Sequence, residues 1–253
     1  MFNKKFSSPF EVGKITQEKI KVQNIKLGSK LVVAPNQMAY IIYKGKPYDK
    51  FIEGEFELQG GVMPKIFKAS KLDTPKKARV SKKLVYPTSF KGSIVFINKQ
   101  LYHNFDYKTG NILLFDRIDD FKFRLKGTYD FEIVDFDIFA KFVAKQGKSN
   151  NYVIAKLNKY VSKKIRYEFH KEEYEIENFL FKNNDVFYKI ITKLNKRLQK
   201  IGIEIKSATI DEFLVNKKYQ ARINDYISGG QIKIHYSNLG EENVISQQCN
   251  QDF

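Results

Sequence analysis

One stretch of the chain, residues 121–133, limits the possible fold more than any other feature. Its odd positions carry Phe, Phe, Leu, Gly, Tyr, Phe and Ile, and its even positions carry Lys, Arg, Lys, Thr, Asp and Glu. This unbroken period of two predicts a long strand with one buried face and one solvated face. Gly127, in the middle of the stretch, indicates a bulge or a bend.

Proline separates two parts of the chain. All six prolines lie before residue 88. Because proline lacks a backbone donor and marks turns and sheet edges, the first part is predicted to consist of strands and loops. The apolar runs predict strands at 30–34, 38–43, 55–58, 93–98 and 111–115. Between the second and third of these, Lys44-Gly45-Lys46 predicts a hairpin turn in which glycine takes a positive φ.

After residue 134 the apolar residues recur every three or four positions, which is the period of amphipathic helices. Helices are predicted at 138–145, at 149–169 and from Asp185 to a stop at Gly202. A strand at 203–210 and a last helix at 216–227 follow. The sequence therefore predicts an α+β fold, in which a β-rich first part precedes an α/β second part with two or three amphipathic helices. Four units are expected: an N-terminal extension at 1–24, a β-rich subdomain at 25–134, an α/β subdomain at 135–228 and a polar tail at 229–253.

Positive charge is concentrated in one segment. The whole chain has 45 Lys and Arg against 28 Asp and Glu, a net charge of +17, and residues 61–100 carry ten basic residues and one acid. Five of the basic residues fall between Pro75 and Pro87, so we expect them on a loop or a short sheet edge. Such a segment is either a solvated loop or a contact for an anionic surface, phospholipid or nucleic acid. The candidate membrane contacts are Lys76, Lys77, Arg79, Lys82 and Lys83.

The residue inventory disfavours several other classes of protein. A single cysteine excludes an internal disulfide and a cysteine-based zinc cluster. No apolar run is long enough for a signal-peptide core or a membrane-spanning helix, so we expect a protein that is neither secreted nor membrane-spanning. His103, His170 and His235 are scattered, and the motifs of phosphate loops, zinc proteases and serine hydrolases do not occur. We therefore predict no catalytic residue, no cofactor and no metal.

Four segments carry motif residues in a fixed order along the chain. They lie at 25–58, 90–98, 127–139 and 198–210. The motif residues include Gly28, Gln37, Gly45, Gly54, Gly127, Tyr129 and Gly202. This order resembles the SPFH domain of stomatin, prohibitin, flotillin and band-7 proteins over about residues 22–228. Within that superfamily the chain is most similar to the soluble bacterial branch described as virion-core-protein-like. The resemblance implies that the seven motif residues are structural.

The resemblance also implies a function. It predicts a non-enzymatic scaffold that self-associates, acts peripherally at the cytoplasmic face of the cell membrane and recruits a partner protein. The partners expected are a second copy of the chain, an anionic phospholipid surface and an unidentified recruited protein. The alternative left open is a nucleic-acid-binding protein that uses the basic segment at 65–99.

Overall fold

The computed structural model describes residues 4–16, 21–77, 84–115, 120–146, 150–172, 183–219 and 234–237. Strands dominate the chain up to residue 133, with one short helix, α1 (Pro64–Ala69). They are β1 (Lys5–Phe6), β2 (Gln23–Lys26), β3 (Lys30–Val33), β4 (Gln37–Tyr43), β5 (Lys46–Phe51), β6 (Gly54–Glu57), β7 (Lys76–Lys77), β8 (Leu84–Val85), β9 (Ser89–Asn98), β10 (Leu101–Lys108), β11 (Ile112–Phe115) and β12 (Asp120–Ile133).

Helices dominate the chain after residue 134. The elements are α2 (Phe136–Gln146), α3 (Asn150–Glu172), α4 (Asn183–Leu198), a 3₁₀ turn at Gln199–Ile201, β13 (Ile203–Ala208), β14 (Glu212–Asn216), a 3₁₀ turn at Lys217–Tyr219 and β15 (Ile234–Ser237). The predicted α+β class is confirmed. Of the predicted helix at 216–227, Asn216 ends β14 and residues 217–219 form the 3₁₀ turn, whereas the remainder lies outside the described residues.

A first hydrophobic core lies between two small sheets. The four-stranded sheet has the order β2-β9-β4-β5, and the three-stranded sheet has the order β1-β3-β6. Leu31 and Val33 of β3 share one buried cluster with Ala39 and Ile41 of β4. Tyr40, on the opposite face of β4, belongs to a second and larger core. Strand β4 is therefore buried on both faces, which explains its continuous apolar sequence.

Strand β12 organises the second core through a six-stranded sheet. It pairs antiparallel with β10, β11, β13 and β14, and β15 joins β14 in parallel. The predicted strand with one buried face is confirmed, since every second side chain along it is buried. These buried side chains are Phe123, Leu125, Tyr129, Phe131 and Ile133.

Gly127 shows no bulge against β10, and on its other side the partner of β12 changes from β13 to β14; the predicted bend stays a prediction. Gly127 pairs in regular register with Tyr107, and the register of β12 against β13 shifts between Asp130 and Phe131. A Cβ atom at Gly127 would lie 2.0 Å from the carbonyl oxygen of Thr209. Glycine is needed at this position because the backbone that follows β13 approaches it directly.

The helices cover the second core with the apolar stripes that their sequences predict. The i, i+4 series of α3 is buried along its whole length, and α4 buries a similar stripe. The α3 residues are Val153, Leu157, Val161 and Ile165, and the α4 residues are Phe187, Ile190, Leu194 and Leu198. Helix α2 begins after Asp135, whose Oδ1 accepts a hydrogen bond of 2.8 Å from the backbone N–H of Ile138.

The change of period at residue 134 marks where helices begin, but the six-stranded sheet continues across it. Strands β10 to β12 come from the predicted β-rich unit, whereas β13 and β14 come from the predicted α/β unit. The segment before residue 25 also joins the body of the protein. Phe6 and Ile15 are buried there, and the Asn150 side chain accepts hydrogen bonds from the backbone N–H groups of Ile15 and Thr16. The division into subdomains stays a prediction, and β15 lies within the segment predicted as a polar tail.

Candidate functional site

Helix α1 precedes the five clustered basic residues at 76–83. Both carboxylate oxygens of the buried Asp49 accept hydrogen bonds at the start of α1, from the backbone N–H groups of Lys65 at 3.1 Å and Ile66 at 2.7 Å. Leu72 is buried, and none of the side chains described between it and Phe90 is buried. Asp49 and Leu72 therefore anchor the chain on the N-terminal side of the basic residues at 76–83.

Strands β7 and β8, which flank the basic cluster, pair as a two-stranded antiparallel sheet. Lys76 of β7 lies opposite Val85 of β8, and Lys77 lies opposite Leu84. The structure thus places two of the five predicted membrane contacts on a short ribbon, and the other three, Arg79, Lys82 and Lys83, lie outside the described residues. We call residues 76–86, of which the structure describes 76–77 and 84–86, the basic hairpin.

Three consecutive apolar side chains on the basic hairpin are exposed, and no pattern in the sequence predicted their exposure. Leu84 is 66% exposed, Val85 50% and Tyr86 60%. Both residues of β8 are exposed, so neither face of that strand packs on a core. The available signal was the short apolar run between Lys83 and Pro87. Apolar surface of this kind beside cationic side chains is typical of interaction sites.

The surroundings of the hairpin are cationic. Lys65, Lys68, Lys71 and Lys76 are exposed, and within the described ranges none of them forms an ion pair. The acid in this segment, Asp73, accepts a hydrogen bond from the hydroxyl of Thr74. The hairpin therefore presents Lys76, which forms no ion pair within the described ranges, together with exposed apolar side chains.

Four of the five motif glycines have a positive φ and lie at turns or at the start of a strand, and the fifth, Gly127, lies within β12. Lys44 and Gly45 have φ angles of 50° and 72°, as a two-residue hairpin turn between β4 and β5 requires. Gly202 ends the 3₁₀ turn after α4 with φ of 77°, and a Cβ atom there would lie 2.2 Å from the Asp135 carbonyl oxygen. Gly28 and Gly54 also have positive φ, at the turn before β3 and at the start of β6.

Gln37 and Tyr129 make buried connections between elements. The Gln37 amide donates hydrogen bonds to the Pro9 carbonyl oxygen at 3.2 Å and to Oδ1 of Asn98 at 2.8 Å, which fastens the N-terminal segment to β9. The Tyr129 hydroxyl donates to Oδ1 of Asn158 at 2.7 Å and so ties β12 to α3. Burial raises the pKa of the Tyr129 hydroxyl above its ordinary value. The geometry of both residues suits a structural role.

One exposed polar cluster contains a histidine, a serine and an aspartate. Nδ1 of His103 lies 3.1 Å from Oδ2 of Asp130, and the Ser207 hydroxyl donates to the same oxygen at 2.9 Å. Desolvation raises the pKa of Asp130, but hydrogen bonds from the Asn104 backbone, His103 and Ser207 outweigh it, so the pKa lies below its usual value. Serine and histidine both contact the carboxylate and not each other, so the cluster lacks the nucleophile–base contact of covalent catalysis.

Two further observations concern metals and membranes. Among the residues that the structure describes, no group of three or more His, Cys, Asp or Glu side chains is placed to hold a metal ion. Within the same residues, no helix combines the length and the apolar character needed to cross a lipid bilayer.

Comparison with known proteins identifies the family. The sequence model of the SPFH domain–Band 7 family matches residues 18–231. A Plasmodium falciparum (isolate 3D7) protein described as uncharacterized protein MAL8P1.12 is 32% identical over 124 residues, which are 44% of this chain and 11% of the relative. The chain thus spans about a tenth of the length of that relative. Because the family match covers most of the chain and includes all seven motif residues, the protein belongs to the SPFH domain–Band 7 family.

Proposed function

We propose that this protein is a self-associating SPFH scaffold that adsorbs to anionic membranes at the cytoplasmic face through its basic hairpin. The family as a whole consists of membrane-associated, generally non-enzymatic scaffolds. The observation that carries the proposal is the exposure of Leu84, Val85 and Tyr86 beside the lysines of β7. In this proposal the assembled copies recruit a partner protein.

The two kinds of side chain act on a membrane in different ways. A basic residue near an anionic leaflet contributes about 1 kcal/mol, and salt screens that contribution. Burying an apolar side chain contributes about 1.5–3 kcal/mol, and salt does not screen it. A hairpin that carries both binds anionic bilayers reversibly and binds neutral bilayers weakly. This is the behaviour expected of a peripheral protein.

Self-association would strengthen this weak binding. Several linked hairpins raise the effective concentration of the second contact, which increases avidity by roughly 10²-fold or more. Strand β6 is an edge strand of the three-stranded sheet, and it exposes Glu55 and Glu57. An acidic edge on a protein of net charge +17 is complementary to the basic surface of a second copy. Light scattering at micromolar concentration tests this, and a stable 29.7 kDa monomer with and without lipid would contradict it.

A nucleic acid would use the basic segment differently. Phosphate contacts need only the lysines, and single-stranded bases stack on aromatic side chains. Leu84 and Val85 supply neither contact, whereas both suit the acyl region of a bilayer. The apolar pair therefore favours lipid over nucleic acid.

Vesicle cosedimentation with two hairpin variants tests the proposal. The first variant reverses five charges: Lys76→Glu, Lys77→Glu, Arg79→Glu, Lys82→Glu and Lys83→Glu. The second removes the apolar side chains: Leu84→Ser, Val85→Ser and Tyr86→Ser. Each is measured on phosphatidylglycerol vesicles, on phosphatidylcholine vesicles, and in gel shifts with duplex and single-stranded nucleic acid.

Each hairpin variant has a matched control on another surface. The charge control reverses five exposed lysines of α3 and α4, with the same change of net charge: Lys159, Lys163, Lys171, Lys189 and Lys196. The apolar control changes an exposed Leu, Val and Tyr elsewhere to serine: Leu101, Val134 and Tyr188.

We expect both hairpin variants to lose binding to phosphatidylglycerol vesicles by at least tenfold, and both controls to bind nearly as the native protein does. If the charge variant and its control lose vesicle binding equally, the loss is explained by net charge alone and not by the position of the hairpin. Unchanged binding in both hairpin variants, or a gel shift that exceeds lipid binding, would contradict the proposal. The gel shift would favour the nucleic-acid alternative.

A further inference from the structure

A cavity of about 690 Å³ lies where the turn between β4 and β5 meets α2, α3 and the 3₁₀ turn after α4. Its size is within the range of about 300–1,000 Å³ that small-molecule sites occupy. Its apolar lining comes from three of these elements and the hairpin turn. The apolar lining residues are Pro47, Ile138, Phe142, Tyr160 and Ile201.

Among the described residues, the lining of the same cavity contains five lysines and no carboxylate. The lysines come from four different elements, so only the tertiary structure brings them together. Within the described chain, none of the five forms an ion pair. They are Lys46, Lys141, Lys145, Lys164 and Lys200.

Lys164 is the least solvated of the five lysines. Its side chain is partly buried, and its ammonium lies 5.3 Å from the centre of the Tyr160 ring, which also lines the cavity. Desolvation lowers the pKa of Lys164, and the charges of Arg197, Lys163 and Lys200 lower it further, although Glu168 opposes the shift. The carboxylate of Glu168 is already hydrogen-bonded to Arg197. An anion in the cavity would therefore relieve an existing excess of positive charge.

The two features of the lining together define the ligand. A small inorganic anion would neutralise the lysines but leave the cavity-facing surfaces of Phe142 and Ile201, which are only partly buried against the core, uncovered. A neutral lipid would cover the apolar floor but leave the lysines uncompensated. We propose that the cavity binds a single-chain lipid with an anionic head group, a carboxylate or a phosphate monoester. The head group lies among the lysines, and the chain lies on the apolar floor. The cavity includes no residue of the basic hairpin, so this proposal does not depend on vesicle binding.

Calorimetric titration of the full chain with monomeric lipids tests the proposal. The probes are oleate and 1-oleoyl-lysophosphatidate as anionic amphiphiles, mono-oleoylglycerol as the neutral chain, and inorganic phosphate as the head group alone. The first two probes also distinguish a carboxylate source from a phosphate source. We expect at least one of them to bind tenfold or more tightly than both mono-oleoylglycerol and phosphate.

Substitutions that keep the lysine stems but remove the charges locate the site. The cavity variant is Lys141→Gln, Lys145→Gln and Lys164→Gln. The matched control is Lys159→Gln, Lys171→Gln and Lys189→Gln, which lie on α3 and α4 outside the cavity. We expect the cavity variant to lose at least tenfold in affinity for the anionic lipid, while the control keeps it. Circular dichroism and the thermal midpoint check that both variants fold.

Four outcomes would overturn the proposal. They are equal affinity for the neutral and anionic lipids, equal affinity for phosphate alone, an undiminished affinity of the cavity variant, and an equal loss in the cavity variant and its control. A hairpin variant that loses vesicle binding but keeps monomeric lipid binding separates this site from the proposed membrane contact.

Discussion

The carboxylate of Glu168 on α3 accepts a hydrogen bond from Nε of Arg197 on α4, and Glu168 is only 1% exposed. The Arg197 guanidinium also lies 4.5 Å from the centre of the Tyr167 ring. Desolvation lowers the pKa of Arg197, but the hydrogen bond and charge of Glu168 outweigh it and raise that pKa above its usual value. The Glu168–Arg197 pair therefore links helix α3 to helix α4.

Substitutions of Arg197 and of Glu168 should lower the free energy of unfolding by different amounts. Arg197→Ala leaves a carboxylate buried without a partner, so we expect a loss of about 3 kcal/mol in the free energy of unfolding. Glu168→Gln keeps a polar acceptor beside a guanidinium that is partly exposed, so we expect a loss of about 1 kcal/mol. Urea denaturation of both variants and of the double variant measures the coupling. Equal losses would contradict the burial of the carboxylate.

Gly127→Ala should destabilise the protein strongly. The added methyl group would meet the Thr209 carbonyl oxygen, which is backbone and cannot move aside cheaply. We expect a loss of about 2 kcal/mol or more, as in other overpacked sites. Gly61→Ala is the control, because a Cβ atom there meets nothing within 4 Å. Thermal denaturation compares the two, and a control as unstable as Gly127→Ala would refute the steric explanation.

Stability should fall in acid partly through Asp137. Desolvation raises the pKa of this carboxyl, but hydrogen bonds from the Lys50 ammonium at 3.0 Å and the Tyr40 hydroxyl at 2.8 Å outweigh it, so the pKa is lowered on folding. A lowered pKa stabilises the folded state above the unfolded pKa, near 3.9, and this contribution disappears as the pH falls through the folded pKa. We expect the free energy of unfolding, measured by urea denaturation, to fall less steeply with decreasing pH below about pH 4 in Asp137→Asn than in the native protein. If the free energy of unfolding changes with pH in parallel for the two proteins, Asp137 contributes nothing to the loss of stability in acid.

The Lys164 ammonium should titrate below the ordinary value for a lysine, because its pKa is lowered in the folded protein. Reductive ¹³C-methylation makes each lysine visible by NMR, and the Lys164→Arg variant assigns the resonance. Because desolvation and neighbouring cations lower this pKa, we expect the Lys164 signal to shift at a pH below the ordinary lysine pKa of about 10.4. Adding the anionic lipid that binds should raise the pKa. If a lipid binds by calorimetry but leaves the Lys164 pKa unchanged, that lipid binds outside the cavity.

Membrane binding should depend on salt in a graded way. The Debye length shortens from about 30 Å at 0.01 M salt to about 8 Å at 0.15 M, so the lysine contribution weakens steeply over this range. The apolar contribution of Leu84, Val85 and Tyr86 is not screened, so some binding should persist at physiological salt. Cosedimentation with phosphatidylglycerol vesicles across a salt series measures both parts. Binding that does not change with salt would exclude the lysines as contacts.

Local periodicity predicted helices α2 to α4 and the long strand β12 correctly, whereas it did not predict α1 or the strands β1, β2, β7, β8, β14 and β15. The alternation at 121–133 is β12, and the i, i+4 stripe beginning at Val153 is α3, because the side-chain period of each element is a property of its own backbone. Strand β10 was not predicted. Its register against β12 shifts between Tyr102 and Phe105, which interrupts the alternation of apolar residues. A bulge depends on the partner strand, so the sequence of one strand does not show it.

The candidate sites divide in the same way. The lysines of the basic hairpin are neighbours in the chain, so composition alone drew attention to them. The exposure of Leu84 to Tyr86 was not predictable, because an apolar run looks the same whether it enters a core or leaves one. The cavity lysines range from Lys46 to Lys200, and no spacing relates them. Sequence determined the periods, turns and charge that build each element. Only the packing of the β4–β5 turn against three later elements decided which charges meet, because packing depends on contacts between residues far apart in the chain.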